Sequence, residues 1–271
     1  MNVFKDMKKI IKNINPKINV PINNNVLLEK AIENINSNEE LQALWKIINV
    51  NAVERLSMSD HGNVHFQIVA NISVKFVRML VANGVKMSIT KDYKLSSQYG
   101  ELIVILASVL HDLGMTVNRK DHESYSLFLA NNLLHQIIDF LPIYEKTIII
   151  SEVLHSIISH RSDGKPITLE AGIVRVADAL DMSKGRSRIA YESDKIDIYS
   201  VSSAAIEKVD IEEGKEKPIQ LNITMNNSAG IFQIDELLKK KINGSGIEKY
   251  IDVHAFINQE NENKLIKEYR L

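Results

Sequence analysis

The chain has 271 residues, with 33 Lys and Arg against 34 Asp and Glu, and it contains no cysteine. A net charge near zero gives no global attraction to nucleic acid or to an anionic membrane, so an anionic ligand must be caught locally. The lack of cysteine excludes disulfides and thiolate metal sites and leaves imidazole and carboxylate as side-chain ligands. The length suits one large domain, or a main domain with a smaller appendage. The longest apolar runs, at residues 102–110 and 148–150, fall short of the roughly 20 residues that span a bilayer. The first ten residues also lack a signal peptide's apolar core and cleavage site. The expectation is a soluble cytoplasmic protein with neither membrane nor long nucleic acid among its partners.

In chain order, residues 1–25 read as a short helix followed by an extended arm, because the stretch 13–25 mixes Pro and Asn with isolated aliphatics. Biased codon usage accounts for its Asn content. Residues 26–190 read almost entirely as helix. Residues 38–48 repeat apolar side chains at helical spacing, and Asp60 stands as an N-cap before a helix over 61–85 with Gly84 near its exit. Residues 97–110 are apolar almost all round, as in a central helix. Helices over 122–140, 144–160 and 168–182 follow, separated by Pro142 and the turn at 162–166. Residues 191–271 change character: 195–201, 218–225 and 250–257 alternate with period two as strands do. A helix over 234–242 ends at the Gly244-Ser-Gly246 turn. The fold class is therefore mainly α, a helical bundle with a smaller C-terminal α+β appendage of β-α-β type. The exposed strand edges of that appendage suit self-association into a homodimer.

The chemistry concentrates in histidines and carboxylates. His111 and Asp112 close the apolar run 102–110. Adjacent residues on a continuous helix diverge by about 100°, so both can reach one metal only where the helix ends, and Gly114 supplies that end. An Asp can bridge two cations through its two oxygens. His61 and His65 are four apart on one predicted helix and share its face; the alternative is a pair of half-buried histidines bonded to backbone. His122 opens a helix, or is a surface histidine near an N-cap. His155 and His160 are five apart, about 140° around a helix, so they do not bind identically. His160 is the preferred ligand, and His155 is a second ligand or a hydrogen-bond partner behind one. Asp178 sits in an apolar stripe of Ile173, Val174, Ala177 and Leu180, where an unpaired carboxylate would be costly. A metal would remove that cost, and so would a salt bridge to Arg175. Asp181, three residues on, reads as a helix-end residue.

The order His65, His111-Asp112, His122, His160, Asp178 resembles the HD-domain superfamily of metal-dependent phosphohydrolases over roughly residues 50–190. The resemblance implies a metal set of His65, His111, Asp112, His122, His160 and Asp178, with His155 as the further candidate ligand, and the additional His122 and His160 point to the subclass with two divalent transition metals per chain (Mn, Fe, Co or Zn). The run 174–188 and the segment 225–230 look like an uncharacterised prokaryotic branch, so membership does not deliver a substrate. Many two-metal members carry a Lys shortly after the His-Asp pair, and this chain has Met115 there. Either Arg119 or Lys120 takes that role, or His61 protonates the leaving group, or catalysis is slow. Lys184, Arg186 and Arg188 follow the Asp178 helix and form a phosphate clamp or a solvated basic loop.

The function implied is hydrolysis of a phosphomonoester or phosphodiester of a small phosphorylated substrate such as a nucleotide. Water held near Asp112 attacks phosphorus. Oxidative cleavage at a di-iron centre on the same ligands and a non-catalytic nucleotide sensor are the alternatives; oxygen dependence and turnover separate them.

Overall fold

The computed structural model describes residues 17–56, 58–161, 163–182, 198–258 and 268–270. The leading helix expected before residue 13 lies outside them. The arm is extended as expected, and it is anchored: Ile18 and Val20 are buried, and the Asn36 side chain accepts from the Ile18 amide and donates to its carbonyl. Asn25 caps α1 (Val26–Ser37) and Asn38 caps α2 (Glu39–Asn49), each side-chain oxygen accepting a backbone N–H of the first turn. Asparagine here is structural as well as abundant.

A π-helical turn (Val50–Arg55) leads to α3 (Asn63–Ala82), then α4 (Ser88–Tyr93), α5 (Ser97–Leu110), a 3-10 turn (Leu113–Thr116), α6 (His122–Ile137), α7 (Ile143–Ser159) and α8 (Leu169–Leu180). The all-apolar α5 is the axis of the bundle. Its residues from Leu102 to Leu110 are buried without interruption, and α3, α7 and α8 pack around it. Trp45 ties α2 to the end of this axis by donating its indole N–H to the Val109 carbonyl at 2.9 Å. One expectation shifts: α3 begins at Asn63 with Gly62 as its N-cap, because Asp60 turns its carboxylate onto the Gly62 amide at 2.7 Å and closes a turn before the helix. His61 therefore precedes α3. A second correction concerns membrane spans. The helical stretches Asn63–Ala82 and Ser97–Thr116 are long and apolar enough to cross a bilayer by length and composition, yet 61% and 83% of them are buried inside the protein, which marks them as core helices.

Two acids lie beneath the α4 end of the bundle. Glu170 caps α4 by accepting the amides of Ser88 and Ile89. Glu152 on α7 is buried with one carboxylate oxygen lacking a partner, and burial together with the Glu170 charge pushes its carboxyl up. The native state then holds a proton that the unfolded chain has already released, so stability falls as pH rises above the unfolded value of 4.5. Glu152→Gln is expected to raise Tm at pH 7 and to leave it unchanged at acid pH, where both forms are neutral. Thermal melts across pH read this directly.

The C-terminal unit comprises α9 (Ile198–Ala204), β1 (Ile206–Glu213), β2 (Ile219–Met225), a π-helical turn (Gln233–Leu238) running into α10 (Lys239–Ile242), then β3 (Ile251–Ile257) and β4 (Glu268–Arg270). The sheet order is β1-β2-β3-β4. β2 pairs antiparallel with β1 (Ile211 opposite Leu221) and parallel with β3 (Leu221 opposite Val253). A parallel neighbour requires a crossover, supplied by 233–242, so the β-α-β unit is present. β2 buries Ile219, Leu221, Ile223 and Met225 on one face, and these join the same continuous apolar core as the bundle. The strand expected over 195–201 is not observed: 195–197 lie outside the described residues, and 198–204 form α9. Its alternation is too short to decide against a helix, and burial of Ser202 beneath Gln233, which donates to the Ser202 hydroxyl at 2.9 Å, holds the helix in place. The edge strand β1 was hidden by its five charged residues among eight.

Candidate metal centre

His111 terminates α5, and its Nδ1 bonds the Ser108 carbonyl at 2.8 Å. The chain then leaves the α-helical path, so Asp112 turns toward the same point and its Oδ2 lies 3.5 Å from His111 Nε2. Gly114 permits the fold to close there. A Cβ at this position would stand 1.9 Å from the His122 carbonyl oxygen. The Gly114 amide donates to the Ser126 hydroxyl at 2.8 Å, and that hydroxyl donates to the His111 carbonyl at 2.6 Å. The first turn of α6 is thereby pressed onto the His-Asp turn, delivering His122 Nε2 to 3.0 Å from Asp112 Oδ1.

His65, in the first turn of α3, places Nε2 3.2 Å from His111 Nε2. His160, at the end of α7, places Nε2 3.7 Å from Asp112 Oδ1. Asp178, near the end of α8, presents Oδ1 3.4 Å from His65 Nε2 and 3.8 Å from His111 Nε2. Two buried groups result, His65-His111-Asp112 and Asp112-His122-His160, each with ligand atoms within 4.8 Å of one another. Asp112 belongs to both, with Oδ2 on the first side and Oδ1 on the second.

Each ring is held from behind. Nδ1 bonds the Asp181 carboxylate at 2.6 Å in His65, the Ser108 carbonyl in His111, the Arg119 carbonyl at 3.0 Å in His122 and the Ile157 carbonyl at 2.6 Å in His160. Such acceptors hold a proton on Nδ1, so that each ring, when neutral, turns its Nε2 lone pair inward. His65 and His111 then point two lone pairs at each other across 3.2 Å, an arrangement that calls for a cation between them. The residues fit a divalent metal.

The charge states agree. Burial pushes the Asp112 carboxyl up, but His111 and His122 outweigh it and hold the group well below the usual carboxylate range. At Asp178 the Lys241 charge, with the His111 and His65 rings beside it, overcomes burial in the same way. Burial, with His111 and Lys241 nearby, drives His160 well below the usual imidazole range and keeps it neutral. His122 shifts upward, because its bond to Asp112 outweighs burial.

Other expected residues fall around this set. His61 stands beside it, its ring centroid 5.8 Å from that of His65 and its Nδ1 bonded to the Ser59 carbonyl at 2.7 Å. Arg119 Nη1 lies 3.0 Å from His122 Nδ1, on an exposed loop with Lys120. His155 joins neither ligand group; its Nε2 accepts the Ile167 amide at 3.1 Å, as the 140° offset from His160 implies. Arg175 does not pair with Asp178. It is buried and donates to the carbonyls of Arg161, Gly164, Lys240 and Lys241. Lys184, Arg186 and Arg188 lie outside the described residues.

Two residues escaped sequence reasoning. Asp181 supports His65 from the C-cap of α8, and Lys241 of α10 bonds Asp178 Oδ2 at 3.2 Å and the His160 carbonyl. The first was legible only as a helix-end acid, and the second was masked in a Lys-Lys-Lys run that reads as a solvated face. Asp181→Asn, which keeps shape and removes charge, is expected to weaken metal affinity by roughly 10- to 100-fold without unfolding the protein. A competition titration against a chromogenic chelator measures it.

The sequence profile of the HD domain matches residues 87–183, which hold His111, Asp112, His122, His160, Asp178 and Asp181; His61 and His65 come to the site from outside that match. An uncharacterised protein of Methanocaldococcus jannaschii is 42% identical over 224 residues, covering 82% of this chain and 86% of that protein. No solved structure matches significantly. With a relative of that extent and a His-Asp pair at the heart of a convergent ligand set, the chain belongs to the HD-domain family.

Proposed function

We propose that this protein is a metal-dependent phosphohydrolase that cleaves a phosphomonoester or phosphodiester of a nucleotide at a two-metal centre bridged by Asp112. The observation that carries this reading is the placement of Asp112, whose two oxygens face two separate histidine pairs. His65, His111 and Asp178 would hold one cation, and His122 and His160 would hold the other. Divalent metals there supply Lewis-acid polarisation of a phosphoryl group and acidify a water toward neutrality.

The protein's own groups do the rest. The buried carboxylates Asp112 and Asp178 stay ionised and His160 stays neutral, so substrate meets these groups already in their working protonation state. His61 holds its Nδ1 proton on Ser59, which leaves Nε2 as the atom that exchanges a proton with the leaving group in place of the Lys absent at position 115. Arg119, against His122, offsets charge developing at the phosphoryl oxygens. Lys184, Arg186 and Arg188 follow Asp178 in sequence closely enough to grip the phosphate.

A phosphate-release screen over nucleoside monophosphates, cyclic dinucleotides and p-nitrophenyl esters, run with each of Mn, Fe, Co and Zn, tests the reading. Turnover that chelator abolishes and metal restores is the expected result. Arg186→Ala should raise KM with metal content unchanged. Metal-loaded protein that binds nucleotide and turns over none of these substrates would refute it.

A further inference from the structure

At the N-terminal end of α8, the end opposite Asp178, a cleft of about 490 Å³ lies between the helical bundle and the C-terminal unit. Its bundle wall runs from Asn83 to Lys91 and from Pro166 to Leu169; its other wall is Ser245, Gly246, Lys249 and Tyr250. Three lysines, Lys86, Lys91 and Lys249, line it, and no Asp or Glu does. In a chain whose acids outnumber its bases by 34 to 33, that imbalance is local. Among the described residues no carboxylate pairs with any of the three, and the Lys249 ammonium rests over the Tyr250 ring at 4.9 Å. Like charges along a concave wall raise the local potential, and an anion is what relieves it.

The remaining lining defines the ligand further. Val85, Ile167, Leu169 and Tyr250 form an apolar flank, and the hydroxyls of Ser88, Thr168 and Ser245 already accept the amides of Leu169, Ala171 and Ile247, which leaves the lysines as the groups that meet an anion. A volume of this order accepts a nucleotide-sized molecule. Leu169 begins α8 and Asp178 lies nine residues on, about 14 Å along the axis, so this ligand is not the phosphoryl group at the metals.

We propose that the cleft is a second site for a phosphorylated small molecule with an apolar or aromatic body, and that its ligand clamps the C-terminal unit onto the bundle. The clamp bears on the metal centre through one continuous segment. Lys241 bonds Asp178 and the His160 carbonyl. Four residues later the Ser245 carbonyl oxygen packs so closely on α8 that a Cβ at Gly172 would lie 2.0 Å from it. Lys249 and Tyr250 then line the cleft. A phosphate bridging Lys86 and Lys91 to Lys249 fixes this segment at its outer end. The proposal goes beyond the hydrolase reading and does not depend on it.

The test is AMP binding, with adenosine as control, to metal-loaded protein and to the same protein after chelation, compared with Lys86→Ala/Lys249→Ala. Both lysines are exposed, so the double variant keeps the fold. AMP is expected to bind after chelation, at least about tenfold tighter than adenosine, with at least about tenfold loss in the double variant. Hydrogen exchange over residues 241–250 should slow when AMP is added to the parent and not to the variant. Binding that vanishes on chelation and ignores the lysines would place AMP at the metals alone and overturn the proposal; so would unaltered exchange, or no binding to chelated protein. Absence of turnover with cleft binding intact would count against the hydrolase reading only.

Discussion

Asp112→Ala is expected to yield protein that purifies without metal and loses activity by at least roughly 10²–10³-fold, the scale of removing a preorganised electrostatic group. Asp112 is the residue common to both ligand groups, so its loss disables both at once, whereas loss of His65 or His160 leaves one intact. The fold should survive. Asp112 lies at the seam between α5 and the following turn rather than in the apolar core, and the neighbours it abandons, His111 and His160, are held by carbonyls that remain. Its melting temperature should fall less than that of Leu106→Ala, a fully buried truncation in α5 that costs about 2–5 kcal/mol. Elemental analysis and thermal melts on the two variants separate a site defect from a folding defect. Full metal content in Asp112→Ala would remove the assignment.

Gly114→Ala is expected to damage stability and site together. The added Cβ meets the His122 carbonyl oxygen at 1.9 Å and the Ser126 amide at 2.7 Å. These are backbone atoms in the first turn of α6, so no rotamer change relieves the clash. Helix α6 must move away, breaking the Gly114–Ser126–His111 chain of bonds and withdrawing His122 from Asp112. Overpacking of this kind costs about 3 kcal/mol or more. At Gly84 the left-handed φ of +77° with open space around it makes Ala a matter of backbone strain alone, so Gly84→Ala is the milder control. Denaturant melts should rank the two variants in that order, with metal affinity impaired in Gly114→Ala only.

The features legible in the sequence were those carried by local pattern. An all-apolar run ending in His-Asp-Leu-Gly announced both the central helix and the break that lets adjacent residues converge. The helical ends at His122 and His160 followed from turn residues and from Pro142. Long-range partnership was not legible. Asp181 reaches His65 across 116 positions, and Lys241 reaches Asp178 across 63; neither interval carries any periodic signal. His61 was misplaced onto α3 because Asp60 reads as an N-cap, when its carboxylate instead accepts the Gly62 amide two residues on and closes a turn before the helix. The strand expected over 195–201 shows the limit of short alternation, which tertiary packing overrides.

The most direct test of the metal centre is the metal content per chain after reconstitution of the unmodified protein with Mn, Fe, Co or Zn and removal of free ion. Two equivalents are predicted, one for each histidine pair flanking Asp112. Protein that retains no metal under any of these conditions would contradict the account at its foundation.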